Sequence, residues 1–141
     1  MSSIVIWDRS FLADTGASLC DANGQNSKAG FAARISTANT GSGQEPYVNV
    51  GDATHEVLGA FVDVNLDGRS VSVRLLGEAM VVIGASVTAG QPLKVDANGR
   101  FIPASTNDKA YALALESLTL PATPTGNETI NAIFRGPFTA R

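Results

Sequence analysis

The chain is poor in the residue types that most catalytic and metal sites require. Its 141 residues include one cysteine, Cys20, and one histidine, His55. A lone cysteine excludes an internal disulfide framework and a cysteine-rich zinc site, and we predict that Cys20 is a small, half-buried strand residue. Any histidine-based chemistry would depend on His55 alone, which has no nucleophile elbow and no spaced metal ligands around it. We therefore predict no enzymatic activity, no metal and no cofactor.

Charge and long apolar runs are also scarce. Only 16% of the residues are charged, and the formal net charge is -3. Phosphate binding requires a basic surface, so this balance argues against nucleic acid as the main partner. Ile4-Val5-Ile6 is too short for a signal peptide, and no apolar run approaches the length of a membrane span. We expect a protein that is made in the cytoplasm and has no membrane partner.

Short alternating apolar runs, separated by glycine, proline and Asn-Gly, predict an all-β fold. In residues 84–116, Asn98-Gly99 is a strong hairpin signal between strands at 93–96 and 100–103, because both residues tolerate φ > 0. Alternating Tyr111, Leu113 and Leu115 then mark a strand. A second hairpin joins residues 57–64 to 70–75, and the last strand covers 129–134. Nothing resembles alternating β and α units, so we predict one compact antiparallel β-barrel or sandwich with long loops, residues 11–141.

Two segments fit this pattern less well. Residues 1–10 contain contiguous Ile4, Val5, Ile6 and Trp7, which suit either a buried first strand or an extended N-terminal arm with Trp7 as its anchor. Residues 26–52 have the composition of an insertion loop, either solvated or projecting from the core. Within it, residues 28–35 are either helical turns or a strand, and residues 47–50 alternate as a strand.

Several short sequence motifs recur along the chain. Asp-Ala-Asn-Gly occurs at residues 21–24 and again at 96–99, and residues 16–19 resemble residues 84–87. Residues 57–60 ahead of 71–77 resemble residues 112–115 ahead of 130–136. The elements follow the same order in both halves. Either an internal duplication or chance similarity in a glycine- and alanine-rich chain accounts for this.

Two carboxylate patterns suggest chemistry but have conformational explanations. Residues 63–68 match the first half of a calcium loop, yet the twelfth position is Arg74 where a bidentate glutamate is required. The same residues form a good turn. Asp96 and Glu116 are a conceivable carboxylate pair, but Asp96 lies at a hairpin turn, where aspartate is common. We predict turns at both places.

The order of motifs in residues 82–137 resembles that of phage capsid decoration proteins, also called capsid cement proteins. The resemblance is carried by Gly84-Ala85-Ser86-Val87-Thr88-Ala89-Gly90-Gln91-Pro92-Leu93-Lys94-Val95, Asp96-Ala97-Asn98-Gly99-Arg100, Phe101-Ile102-Pro103-Ala104, Asp108-Lys109, Ala112-Leu113-Ala114-Leu115-Glu116 and Phe134-Arg135-Gly136-Pro137. It implies a small β-barrel or sandwich without catalytic residues. It also implies a homotrimer on the outer surface of an assembled head, at threefold and quasi-threefold positions, bound to the major capsid protein.

Under this hypothesis the N-terminal arm contacts the capsid. The residues expected to do so are Ser2, Ser3, Ile4, Val5, Ile6 and Trp7. The alternative is a carbohydrate- or receptor-binding β-sandwich module of a phage fibre or surface protein. Such sites present exposed aromatic side chains, and only 6% of this chain is aromatic, with Tyr47 and Trp7 as candidates.

Overall fold

A computed structural model describes residues 6–13, 19, 27–37, 46–64 and 70–141. These residues form nine strands: β1 (Trp7–Ala13), β2 (Ala32–Ile35), β3 (Tyr47–Val50), β4 (Gly59–Val64), β5 (Ser70–Val82), β6 (Pro92–Val95), β7 (Phe101–Pro103), β8 (Lys109–Ala114) and β9 (Thr129–Thr139). None of the described segments is a helix long and apolar enough to cross a membrane. The all-β prediction is confirmed, and so are both predicted hairpins, β4–β5 and β6–β7.

The first five strands close into a barrel. β1 pairs in parallel with β3, and antiparallel pairs then link β3 to β2, β2 to β4 and β4 to β5. The N-terminal half of β5 returns to β1 in an antiparallel pair. Closure leaves no free sheet edge among these strands. The interior is filled by Phe11, Ala13, Leu19, Phe31, Ala33, Val48, Phe61, Val71, Val73 and Val82.

A second barrel shares β5 with the first. The C-terminal half of β5 pairs with β9, and antiparallel pairs link β9 to β8, β8 to β6 and β6 to β7. A single parallel bridge between Ile83 and Phe101 connects the end of β5 to β7. Phe101 packs edge-on against Phe134, with ring centroids 5.5 Å apart, inside this barrel.

The second barrel repeats the pairing of the first, strand for strand. The C-terminal half of β5 corresponds to β1, and β6, β7, β8 and β9 correspond to β2, β3, β4 and β5. The register repeats as well. Cross-strand pairs of the first barrel have equivalents in the second. These first-barrel pairs are Phe11–Val71, Ala13–Val48, Ile35–Val48, Ala33–Gly59 and Ala60–Arg74. Their equivalents in the second barrel, in the same order, are Val81–Ile130, Ile83–Phe101, Val95–Phe101, Leu93–Ala112 and Leu113–Ile133.

The turns that lead into β2 and β6 repeat too. Gly30 and Gly90 have φ of 88° and 89°. The N–H of Gly30 donates to the carbonyl of Phe61 at 2.7 Å, and the N–H of Gly90 donates to the carbonyl of Ala114 at 2.7 Å. Of the two explanations left open for the recurring order of elements, the structure therefore favours an internal repeat over chance similarity.

The matching of the two Asp-Ala-Asn-Gly words was wrong. Residues 96–99 follow β6, whereas residues 21–24 precede β2 in the chain and lie outside the described residues. The two copies therefore belong to different connections of the repeated unit. Cys20 also lies outside the described residues.

Two predicted boundaries need correction. Residues 7–10 belong to β1, because they pair with β5 from Trp7 onward, so they are not a free arm. The predicted insertion at 26–52 contains β2 and β3, which are integral strands of the first barrel. β3 confirms the strand predicted at residues 47–50. For residues 28–35 the structure selects the strand over helical turns: Ala-Ala-Arg-Ile carries little β propensity, and its pairing with β3 and β4 makes it a strand.

The second barrel packs on the outer face of the first. Ala32 and Ala60 point away from the interior of the first barrel and are fully buried in the apolar cluster of the second. The N–H of Ala32 donates to the carbonyl of Gly99 at 2.9 Å. The guanidinium of Arg100 lies 5.4 Å from the ring centroid of Phe31. The Asn98-Gly99 turn is thus both a hairpin and part of the contact between the barrels.

Candidate binding surfaces

The N-terminal strand presents two large apolar side chains to solvent. Ile6 is 52% exposed and Trp7 is 55% exposed. Trp7 lies opposite Leu76 of β5, so its backbone is held by the sheet while its indole stays outside. The other predicted contact residues, Ser2, Ser3, Ile4 and Val5, lie outside the described residues.

A bidentate ion pair between Arg74 and Asp8 holds this strand next to Trp7. Arg74 Nε donates to Asp8 Oδ1 at 2.8 Å and Arg74 Nη2 donates to Asp8 Oδ2 at 2.9 Å. Arg74 Nη1 also donates to the carbonyl of Glu78 at 2.6 Å. The hydrogen bond from Arg74 lowers the pKa of Asp8, and the same bond raises the pKa of Arg74. Both groups therefore stay charged at neutral pH, and the start of β1 is anchored beneath the exposed indole.

A charged cleft of ≈ 320 Å³ lies where the β3–β4 connection meets the second barrel. Asp52 accepts hydrogen bonds from the N–H groups of Thr54 and His55, both at 2.9 Å. Burial opposes ionisation of Asp52, but hydrogen bonds from His55 and Thr54 hold its pKa far below the usual range. Arg34 Nε lies 3.4 Å from Asp52 Oδ2. Asp52 therefore closes a local turn.

The Asp52, Thr54 and His55 cluster lacks the geometry of a catalytic triad. The Thr54 hydroxyl oxygen lies 3.1 Å from His55 Nδ1, and Asp52 Oδ1 lies 2.9 Å from the same nitrogen. A triad needs the nucleophile at one ring nitrogen and the carboxylate at the other, so that the ring can move a proton between them. Here the hydroxyl and the carboxylate compete for one nitrogen.

Both lysines that line the cleft form ion pairs. Lys94 Nζ donates to Asp108 Oδ2 at 2.8 Å, and Lys109 pairs with Glu56, which joins the second barrel to the β3–β4 connection. Hydrogen bonding to Lys94 lowers the pKa of Asp108, and hydrogen bonding to Glu56 raises the pKa of Lys109. Across the described part of the chain, no group of three or more His, Cys, Asp or Glu side chains is placed to hold a metal ion.

Two other carboxylates identified in the sequence, Asp96 and Glu116, accept hydrogen bonds from backbone N–H groups. Asp96 Oδ1 accepts from the N–H groups of Asn98 and Arg100 at 2.8 Å and 3.0 Å, which shapes the turn. Glu116 Oε1 accepts from the N–H of Asn131 at 2.7 Å. Asp63, the first residue of the calcium-like motif, lies in β4, and residues 65–69 of that motif are outside the described ranges.

The two aromatic candidates for a carbohydrate site do not form one platform. Trp7 is at the start of β1, and Tyr47 is half-buried opposite Leu12 near the end of that strand. Along β1, five residues of extended chain separate Trp7 from Leu12, the residue opposite Tyr47, by about 17 Å. That distance exceeds a single sugar ring, so the two aromatic rings do not stack on the same residue of a glycan.

Sequence reasoning missed one surface, which we call the outer face of the second barrel. Its residues are Met80, Pro92, Leu113, Leu115 and Ile133. Met80 is 58% exposed and Leu115 is 45% exposed, while the other three are half-buried. A shift in the β8–β9 register between Ala110 and Ala112 turns Leu113 outward, and Ala112 and Ala114 fill the interior. The alternation of Leu113 and Leu115 was a visible signal, but it marked the outside of the barrel.

No protein-family model matches the chain, and no curated protein matches it.

Proposed function

We propose that this protein is a structural virion protein, a decoration or cement protein that binds the outer surface of an assembled phage capsid as a homotrimer. It contacts the major capsid protein and stabilises the joints between capsomers, and it acts by binding and not by catalysis. The observation that carries this proposal is the ordered set of motifs in residues 82–137, which resembles the decoration family.

The positions of those motifs support the proposal. Residues 84–104 lead into, form and follow the β6–β7 hairpin, residues 108–116 contain β8, and residues 134–137 lie in β9. The motifs thus cover β6, β7, β8 and part of β9 of the second barrel in chain order, while the β5 part of that barrel precedes them. A resemblance spread over consecutive elements of one folding unit constrains the fold more than isolated turn words do.

The exposed start of β1 supports a binding role. Trp7 combines a large apolar ring with a hydrogen-bond donor and is among the residue types that dominate interface energies. Because the Asp8–Arg74 pair holds the strand beneath it, little conformational freedom is lost when the indole is covered. Many copies on one shell multiply a modest affinity per site, and a cement protein needs that property.

The direct test is to add the purified protein to undecorated heads and to image them. Density over threefold and quasi-threefold positions is the expected result. Heads that remain bare at saturating protein concentration would contradict the proposed function. Binding of the isolated protein to a glycan array, without affinity for heads, would favour the carbohydrate-binding alternative.

The role of the N-terminus is tested by two changes that leave the barrel intact. Deletion of residues 2–6 retains β1 from Trp7 onward, and Trp7→Ala truncates the exposed ring. Loss of a buried tryptophan anchor typically costs at least 2 kcal/mol, so we expect head binding to weaken about 30-fold or more. Ile35→Ala is the matched control, because Ile35 is 42% exposed and lies on β2. Unchanged binding by both changes would exclude the N-terminus as the capsid contact.

A further inference from the structure

In the first barrel, one outer face is covered by the second barrel, and the internal repeat allows the equivalent face of the second barrel to be identified. In the first barrel, Ala32, Ala60 and Arg74 form a row of cross-strand neighbours on β2, β4 and β5. Ala32 and Ala60 point outward and are fully buried, because the second barrel packs on them. This row is therefore a docking face, and its occupant is another barrel with the same strand topology.

The equivalent row of the second barrel is only partly covered. Register equivalence matches Ala32, Ala60 and Arg74 to Pro92, Leu113 and Ile133, which are cross-strand neighbours on β6, β8 and β9. These side chains are half-buried, and they are larger than the alanines of the first barrel. The covered face and its partly covered counterpart thus occupy the same position of the repeated unit.

Exposed apolar side chains extend this row on the same outer surface. Met80 of β5 lies opposite Asn131 of β9, and the N–H of Leu115 donates to the carbonyl of Asn131 at 2.9 Å. Met80 and Leu115 are two of the most exposed large apolar side chains in the described residues. The five apolar residues share one outer surface across four strands, with Asn131 between Met80 and Leu115 and Glu78 opposite Ile133. A patch of this kind on a soluble protein marks an interaction site.

We infer that the outer face of the second barrel is the surface on which a second copy of this chain docks. The inter-barrel contact is the precedent, since it covers the equivalent face with a barrel of the same topology. Such a contact joins different surfaces of the two partners, and a head-to-tail contact of this type closes into a ring when the rotation permits. The inference deepens the proposed function, because it places the self-contact of the proposed trimer.

The test uses the full chain with charges placed on the face. Met80→Glu and Leu115→Glu are the substitutions of choice because both side chains are exposed, and each is made singly and in combination. Ile35→Glu is the matched control, a similarly exposed apolar residue of the first barrel that has no cross-strand neighbour in the face. The mass in solution is measured by light scattering over a concentration series, with the unfolding midpoint as the folding control.

The expected result is an about threefold fall in mass for the double variant, with unchanged mass for Ile35→Glu and unchanged unfolding midpoints. A double variant that keeps the mass of the wild-type oligomer would overturn the inference, and so would a wild-type protein that stays monomeric at every concentration. If the double variant is unfolded, the masses of the two single variants in solution are compared with that of the wild-type oligomer instead. Head binding is scored separately. If the substitutions dissociate the oligomer but the wild-type protein does not bind heads, the outer face of the second barrel is upheld as the self-contact and the capsid role is refuted.

Discussion

The contact between the barrels makes a quantitative prediction at Gly99. Gly99 has φ of 80°, and a Cβ there would lie 2.4 Å from Val50 Cγ1 and 3.0 Å from the carbonyl oxygen of Gly51. Both neighbours belong to the first barrel. Gly90 has a similar φ of 89°, but a Cβ there would have no heavy atom within 4 Å. Alanine at the two positions therefore carries the same backbone strain and differs only in the contact between barrels.

The expected magnitudes follow from this difference. A left-handed backbone costs an alanine roughly 1–2 kcal/mol relative to glycine, and this applies to both variants. Forcing a methyl group into a packed contact adds about 1–3 kcal/mol at Gly99. The lower entropy of the unfolded chain changes both variants equally, so it cancels in the comparison. We expect Gly99→Ala to lower the free energy of unfolding by about 2–5 kcal/mol and Gly90→Ala by about 1–2 kcal/mol.

Guanidinium unfolding of both variants measures the difference, with the midpoint and the m value determined together. Gly30→Ala completes the series. Gly30 occupies the same turn position as Gly90, but its Cβ would lie 3.0 Å from Val82 Cγ2, so an intermediate loss is expected. Equal losses for Gly99→Ala and Gly90→Ala would refute the packing of the turn against the first barrel. A fall in m for Gly99→Ala alone would indicate that the second barrel unfolds separately.

Three further predictions concern the ion pair, the core and the turn in the cleft. Asp8→Asn removes the partner of Arg74 and should cost about 0.5–1 kcal/mol at pH 7, the range for a partly exposed pair. Because folding lowers the pKa of Asp8, this contribution is present above the unfolded pKa of about 3.9 and disappears as pH falls, so wild type and variant should converge in acid. Asp52→Asn should likewise cost about 1–2 kcal/mol at pH 7. Because folding also lowers the pKa of Asp52, this cost should shrink as pH falls below the unfolded pKa of about 3.9, and a loss independent of pH would contradict this. Phe101→Ala should cost about 3–5 kcal/mol, since Phe101 is fully buried against Phe134, and a loss below 1 kcal/mol would contradict its place in the core.

Much of the C-terminal half was predictable because its signals are local. Asn98-Gly99 joins β6 to β7 as expected, since the turn residues themselves supply the backbone conformation that a short hairpin needs. The scarcity of cysteine and histidine led us to predict no metal or catalytic centre. The structure explains the local roles of the two most suggestive polar groups, because Asp52 and Asp96 both accept hydrogen bonds from the backbone of their own turns.

The first barrel and the outer face were harder to predict because they depend on distant partners. β2 has a weak pattern of its own and becomes a strand through pairing with β3 and β4. Leu113 and Leu115 alternate like core residues, yet the barrel interior is occupied by Phe101 and Phe134. From β8, Ala112 and Ala114 fill the remaining space, and Tyr111 is buried in the same cluster.

By itself, the sequence determined an all-β chain, the positions of its hairpins and the repeated order of its elements. These follow from local backbone preferences and from alternating polarity, which a short stretch of chain contains in full. The tertiary structure decided the parallel β1–β3 closure, the sharing of β5 by two barrels, and which apolar residues face inward. Those features depend on registers between residues far apart in the chain, and no single segment specifies them. Ala32 and Ala60 are buried because the second barrel lies on them, while their counterparts in the second barrel, Pro92 and Leu113, are only half-buried.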